Sequence, residues 1–267
     1  MVKNAMANPL KNMSMKNFIM FGVCTAALSL TACQQVSDKP EFASIDKTQT
    51  LREGSGVFEL DYRFEYLSWY SDEAVAAKIR TAMTADFFGE EYVRTDPMES
   101  SKAFEQAIAD LYVKSASGEY KWSGFMKIRS HRDIVEDRLV AYTVEHAEYM
   151  GGAHGMETVM YYNYDLRTGE RLTLDDVFTP EGKAALAGKI CNMILKDHNK
   201  ANWEELGEEN CYFSMDSVLP TENFLLSKEH ITFIYNPYDI ACYAQGRTKV
   251  VLPLSGLDGF RKEVLVK

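Results

Sequence analysis

The residues best suited to bind a ligand lie in a glycine-rich segment, Gly151-Gly152-Ala153-His154-Gly155. Glycine allows positive φ and lets the backbone approach a ligand closely, and a histidine ring titrates near neutral pH. We therefore predict ligand binding through Gly151, Gly152 and His154. A structural interpretation stays open, in which the glycines form a bulged connection and His154 hydrogen-bonds the neighbouring backbone.

A second candidate segment is Tyr235–Gly246, in which Pro237 and Gly246 act as turn residues. Tyr238 and Tyr243 could stack on a sugar or contact a protein partner, because a tyrosine combines an apolar ring with a polar hydroxyl. We predict both as ligand-binding residues. The alternative is that their rings and hydroxyls tie the loop to a sheet.

Metal and cofactor sites have little support in the sequence. His146 and Glu148 alternate onto one face of a predicted strand and could meet His154. Three ligands of mixed type without a recognised spacing are weak support for zinc. We predict no metal and no cofactor.

Catalytic motifs are missing as well. The adjacent Asp175 and Asp176 would point apart in a helical turn, which favours helix capping over a shared proton. The chain contains no Gly-x-Ser-x-Gly, His-Glu-x-x-His, P-loop or dinucleotide motif. No catalytic residue is predicted, and an envelope hydrolase or deacetylase using His154 and Asp165 is the less favoured alternative.

The N-terminal segment has the pattern of an export signal. Met1–Ala32 contains three lysines and no acidic residue, and an apolar run covers Phe18–Leu30. A charged start before a short apolar stretch is typical of a signal peptide, and the stretch falls short of the roughly 20 residues that span a bilayer. Leu30-Thr31-Ala32-Cys33 resembles a bacterial lipobox, which implies diacylglycerol on the Cys33 thiol and a membrane anchor. Gln34 after the cysteine favours the outer membrane.

The exported part is strongly acidic. From Cys33 onward there are 26 basic and 39 acidic residues, so the net charge is −13, against −10 for the whole chain. This balance argues against nucleic acid, which rewards basic patches, and favours basic partners. The polar residues that follow Cys33, to position 54, are predicted to form a flexible tether.

The three cysteines after Cys33 are Cys191, Cys211 and Cys242. An odd number permits one disulfide with one free thiol, or three reduced thiols. Both alternatives stay open. No C-x-x-C motif supports a redox or zinc site.

Hydrophobic periodicity predicts an α+β fold of two small subdomains, with helices packed on mostly antiparallel sheet. Expected strands are Phe58–Tyr66, Gly118–His131, Leu139–Tyr149, Met156–Leu166, Asn223–Ser227, Ile231–Tyr235 and Lys249–Leu254, and expected helices are Ala74–Phe88, one after Pro97, and Thr179–His198. Asn202–Asn210 is predicted to be an acidic loop. The predicted divisions are residues 1–32 (signal), 33–54 (tether), 55–148 and 149–267.

Several motifs of the second half together resemble the RsiV-like family of extracytoplasmic domains of unknown function. They are Gly151–Gly155, Tyr162–Leu166 with Thr168–Glu170, Leu174–Phe178, Tyr235–Gly246 and Val251–Ser255. The family includes the domain of a lysozyme-sensing anti-sigma factor and a module that accompanies the peptidoglycan deacetylase PdaC. Residues 55–148 resemble its usual companion domain. The resemblance implies a receptor for a lysozyme-like protein, whereas the lipobox in place of a cytoplasmic segment argues against a sigma-factor role.

The resulting hypothesis is a cell-envelope lipoprotein that acts as a binding module, with a lysozyme-like protein as the expected partner. The alternative is a module that binds cell-wall glycan through Tyr238 or Trp122.

Overall fold

The computed structural model describes residues 38–116 and 122–266. The predicted signal peptide, Cys33 and the first part of the predicted tether lie outside these residues. Eight strands and five α-helices are present in the described ranges. In chain order they are β1 (Glu41–Glu53), β2 (Gly56–Trp69), α1 (Glu73–Phe88), α2 (Pro97–Ala116), β3 (Gly124–Val135), β4 (Leu139–Tyr149), β5 (Met156–Asp165), α3 (Leu174–Val177), α4 (Pro180–Asp197), α5 (Trp203–Asn210), β6 (Phe224–Leu226), β7 (His230–Tyr235) and β8 (Thr248–Pro253).

The strands form two sheets, which confirms the predicted α+β class. A five-stranded sheet has the order β1-β2-β3-β4-β5, and a three-stranded sheet has the order β6-β7-β8. All neighbours are antiparallel except β2 and β3. A parallel pair needs a long crossover, and α1 and α2 supply it. None of the described helices is long and apolar enough to cross a membrane.

Strand β4 is buried on both faces. Successive side chains of a strand point to opposite sides, so Val140, Tyr142 and Val144 enter one hydrophobic cluster while Leu139 and Ala141 enter another. The first cluster lies between the five-stranded sheet and the helices α1 and α2. The second lies under α4 and the three-stranded sheet. The sheet also crosses the predicted boundary at residues 148 and 149, because β5 pairs with β4.

A buried asparagine joins the two sheets. Asn163, on β5, donates from Nδ2 to the carbonyl of Phe224 at 2.8 Å and accepts at Oδ1 from the N–H of Leu226 at 2.9 Å. Its side chain therefore takes the place of a neighbouring peptide group at the end strand of the larger sheet. An end strand otherwise presents unpaired backbone groups.

Two sequence predictions are wrong in detail. The predicted tether includes β1, which pairs with β2 along its whole length and buries Ile45. The strand was missed because apolar and polar residues alternate only weakly along it. The predicted acidic loop is the helix α5, because Asn202 accepts from the N–H of Glu205 at 3.0 Å as an N-cap and Leu206 is fully buried.

Candidate functional site

Three residues predicted from the sequence meet at one place. The loop after β4 and the loop after β7 bring the ring of His154 onto the ring of Tyr243, with centroids 3.9 Å apart and planes 23° from parallel. The ring of Tyr238 lies 5.7 Å from that of Tyr243. We call His154, Tyr238 and Tyr243 the aromatic cluster.

The glycines shape the loop that carries His154. Gly151 and Gly152 have φ of 88° and 104°, values that residues other than glycine rarely adopt. The hydroxyl of Tyr149 donates to the carbonyl of Gly152 at 2.9 Å. The carbonyl of Gly155 accepts from the hydroxyl of Tyr243 at 2.8 Å and lies 2.8 Å from Nδ1 of His154. The structural interpretation is thus confirmed for the contact of His154 with the neighbouring backbone. The hydroxyl of Tyr243 ties its loop to the glycine-rich loop and not to a sheet, and ligand binding stays a prediction.

Tyr238 is an exposed member of the aromatic cluster, with half of its surface accessible. Its φ is 76°, which is unusual for a bulky residue and costs about 1–3 kcal/mol. The conformation is held by hydrogen bonds around it: Tyr238 N–H donates to the carbonyl of Ala241 at 3.1 Å, and Asn236 N–H donates to the carboxylate of Asp239 at 2.7 Å. Strain at an exposed ring is typical of functional sites.

The loop after β7 is fixed to the edge of the large sheet. Oδ1 of Asn236 accepts from the N–H of Val159 at 2.8 Å, and its Nδ2 donates to the carbonyl of the same residue at 3.1 Å. Asn223 accepts from the N–H of Tyr161 at 2.7 Å and also donates to the carbonyl of Val159. The loop that carries Tyr238 and Tyr243 is therefore held in place by side-chain hydrogen bonds to β5.

Exposed apolar side chains occur on the segment that pairs with this loop. Phe213, Met215 and Leu219 are 43%, 49% and 65% exposed. The N–H of Phe213 donates to the carbonyl of Ile240 at 2.9 Å. We call Phe213, Met215, Leu219 and Tyr238 the exposed apolar group. Sequence reasoning missed its first three members, and apolar residues in a stretch without periodicity were the available signal.

The stretch of chain that carries the exposed apolar group is acidic. Residues 202–246 contain eight Asp or Glu and one Lys. Glu204, Glu208, Asp216 and Asp239 are all exposed. This part of the surface therefore suits a partner with a basic face.

Other residues considered in the sequence have structural roles. Trp122 is half-buried, with its ring 5.8 Å from Phe58 and 5.2 Å from Tyr112, so it is not an exposed platform. Asp176 accepts from the N–H of Thr173 at 2.8 Å, which confirms helix capping.

The suggested metal ligands do not converge. Nε2 of His146 lies 3.6 Å from the carboxylate of Glu148, whereas His154 stacks on Tyr243. Burial lowers the pKa of His146, opposed by the charge of Glu148. Within residues 38–116 and 122–266, no three His, Cys, Asp or Glu side chains form a group that could hold a metal.

Asp165 is bound in a buried ion pair. Its carboxylate accepts from Nε and Nη2 of Arg138 at 3.0 and 3.1 Å and from the N–H of Arg167 at 2.7 Å. Burial raises the pKa of Asp165, but these hydrogen bonds outweigh burial and leave it below its ordinary value. A cleft of about 620 Å³ opens beside the pair. Because the carboxylate is fully hydrogen-bonded, the geometry gives no support to a catalytic role.

Comparison with known proteins supports a domain of unknown function. Residues 175–255 match the family model described as "Protein of unknown function (DUF3298)". A crystal structure of a DUF3298 family member from Bacteroides fragilis is similar, with 28% identity and a TM-score of 0.75 over 84% of this chain and 96% of that one. A DUF3298 family protein from Pseudomonas aeruginosa shares the fold, with 18% identity and a TM-score of 0.61 over 85% and 97%. A comparison with curated proteins gives no match.

Proposed function

We propose that this chain is a cell-envelope lipoprotein that binds a basic protein of the lysozyme type. The observation that carries the proposal is the exposed apolar group beside the aromatic cluster, on an acidic stretch of the chain. Protein interfaces use a small number of aromatic and apolar anchors surrounded by polar residues. Opposite net charge raises the association rate, while the anchors supply the specificity.

The test is binding to c-type lysozyme by calorimetry or surface plasmon resonance at low salt and at about 0.15 M salt. We expect binding to persist at the higher salt, because apolar contacts are not screened. Loss of all binding there would reduce the interaction to attraction between opposite net charges and overturn the proposal.

Tyr238→Asn tests the surface itself. Asparagine tolerates positive φ, so the variant removes the ring and keeps the backbone. We expect the Kd to rise at least about tenfold, the effect of losing a moderate hot-spot residue. Leu111→Ser is the matched control, since Leu111 is 49% exposed on α2 and lies in a different part of the chain. Equal effects of the two substitutions would show that the partner does not use this surface.

A glycan is the second candidate ligand, favoured by the exposure of the His154 and Tyr238 rings, because sugars stack on aromatic faces. Co-sedimentation with purified peptidoglycan, lost in Tyr238→Asn but kept in Leu111→Ser, would support it. An absence of co-pelleting would count against it. Neither ligand requires catalysis, a cofactor or nucleic acid.

The anchor is proposed from the lipobox alone. We expect the protein to fractionate with the outer membrane and to incorporate radiolabelled palmitate. Cys33→Ala should abolish labelling. Membrane attachment of the wild-type chain without labelling would instead indicate an uncleaved signal anchor.

A further inference from the structure

Two cysteines lie opposite each other beside the aromatic cluster. The N–H of Cys242 donates to the carbonyl of Cys211 at 3.0 Å, next to an antiparallel bridge between Tyr212 and Ala241. Residues opposite each other in a hydrogen-bonded antiparallel pair have Cα atoms about 5.5 Å apart. A disulfide needs about 4.4–6.8 Å. The backbone therefore brings the two Cα atoms into the range that a disulfide spans.

The side chains agree with the backbone. The thiols of Cys211 and Cys242 lie close enough to shift each other's pKa. Cys211 is exposed and Cys242 is half-buried, so an oxidant can approach the pair. Cys191 lies on α4 and is buried in the hydrophobic cluster under the three-stranded sheet, where an oxidant has less access.

The two thiols differ in acidity. The hydrogen bond with Cys211 lowers the pKa of Cys242, helped by backbone hydrogen bonds involving Ala244 and Gln245 and opposed by burial. The same thiol–thiol hydrogen bond raises the pKa of Cys211. Since the thiolate is the attacking form, Cys242 is the thiol that reacts first.

We propose that Cys211 and Cys242 form a redox-active pair that closes to a disulfide through exchange with a disulfide oxidant. The thiolate of Cys242 attacks one sulfur of the oxidant, breaks its S–S bond and releases one thiolate, which takes up the proton that Cys242 lost. Cys211 then loses its proton and attacks the Cys242 sulfur, and the second oxidant thiolate leaves and is protonated. Two protein thiols lose two electrons, and one oxidant disulfide becomes two thiols.

The disulfide would fix the loop that carries Tyr238 and Tyr243. Cys242 directly precedes Tyr243, and Cys211 is the residue at which α5 ends, with φ of 56°. Oxidation would therefore join the end of α5 covalently to this loop. The proposal stands without a ligand, so its test does not depend on the binding function.

In the experiment, the reduced protein is placed in buffers in which the ratio of glutathione disulfide to reduced glutathione increases. Reaction is stopped with acid, free thiols are alkylated after unfolding, and peptides are mapped by mass spectrometry. We expect a Cys211–Cys242 cross-link with Cys191 alkylated, and a Tm about 5–15 °C above that of the reduced protein, because the bond closes a loop of some 30 residues.

Single substitutions show that the cross-link needs both thiols. In Cys211→Ser and in Cys242→Ser the remaining thiol should accumulate a glutathione adduct, because it has no partner to displace the glutathione. Cys191→Ser is the matched control and should leave the cross-link unchanged. Three results would each overturn the proposal: two free thiols at every glutathione ratio, separate glutathione adducts without a cross-link, or pairing with Cys191. The peptide map of the wild-type protein gives the answer even where a variant fails to fold.

Discussion

Replacing Arg138 by methionine removes one partner of the buried ion pair. Arg138 and Asp165 are 8% and 4% exposed, and Nη1 of Arg138 also donates to the carbonyl of Val266 at 2.5 Å. In Arg138→Met the carboxylate of Asp165 keeps the N–H of Arg167 at 2.7 Å and the guanidinium of Arg167 at 3.6 Å. The arginine at 3.6 Å is itself largely exposed and cannot replace the buried pair.

The expected loss follows from the cost of a buried charge without its partner. Breaking such a pair costs about 3–5 kcal/mol, which lowers Tm by roughly 6–20 °C for a chain of this size. The pKa of Asp165 lies below its ordinary value in the native protein. The pair therefore stabilises the protein above the unfolded pKa, near 4, and this contribution is lost as pH falls through the lower native pKa. The difference in free energy of unfolding between wild type and Arg138→Met should therefore become smaller as the pH falls.

Urea unfolding of both proteins at pH 7 and at decreasing pH measures these differences. Arg138→Met/Asp165→Val is the informative control, because replacing both charges by apolar residues of roughly similar volume is often neutral. We expect the double variant to be more stable than the single variant. A single-variant loss below about 1 kcal/mol at pH 7, or a double variant no more stable than the single, would refute the assignment of the pair as a tightly coupled unit.

Four further substitutions have defined outcomes. Asn163→Ala leaves the carbonyl of Phe224 and the N–H of Leu226 without their partner and should cost about 2–4 kcal/mol by urea unfolding; a loss under 0.5 kcal/mol would contradict the role of this amide in joining the sheets. Gly182→Ala should destabilise the protein, because a Cβ would lie 2.4 Å from the carbonyl oxygen of Asp258. Gly188→Ala, on the same helix, places its Cβ where no atom lies within 4 Å, so it should stabilise the protein by about 0.5–1 kcal/mol. Tyr238→Asn should raise Tm by about 2–4 °C, since the strained φ of 76° suits asparagine better, and a fall in Tm would show that the ring stabilises the fold.

The sequence predicts most of the regular elements because their signals are local. Asp72 begins α1 by accepting from the N–H groups of Ala74 and Val75, and the strict alternation of Phe58–Tyr66 marks β2. Strand β1 escaped prediction because its only fully buried side chain is Ile45. The expected domain of unknown function in the second half is confirmed over residues 175–255.

The sequence predicts only part of the candidate site, because only some of its signals are local. Glycines and tyrosines in two loops are visible as motifs, so Gly151, His154, Tyr238 and Tyr243 could be named. The contact between the loops depends on β5, which lies at the end of one sheet and is bonded by Asn236 from the other part of the chain. Such long-range amide bonds have no periodicity and cannot be deduced from local sequence. The proximity of Cys211 and Cys242 depends on the same pairing.

The amide bonds also bear on how the site would bind. The loop after β7 is fixed by Asn236 to β5, and β4, the neighbour of β5, contributes side chains to both hydrophobic clusters. A loop held in this way loses little conformational entropy when it contacts a partner, so more of the contact energy appears as affinity. Asn236→Ala should therefore weaken binding with little change in the exposed surface. The association rate, set by charge, should stay near that of wild type while dissociation becomes faster, and an unchanged dissociation rate would show that the anchoring of the loop does not limit binding.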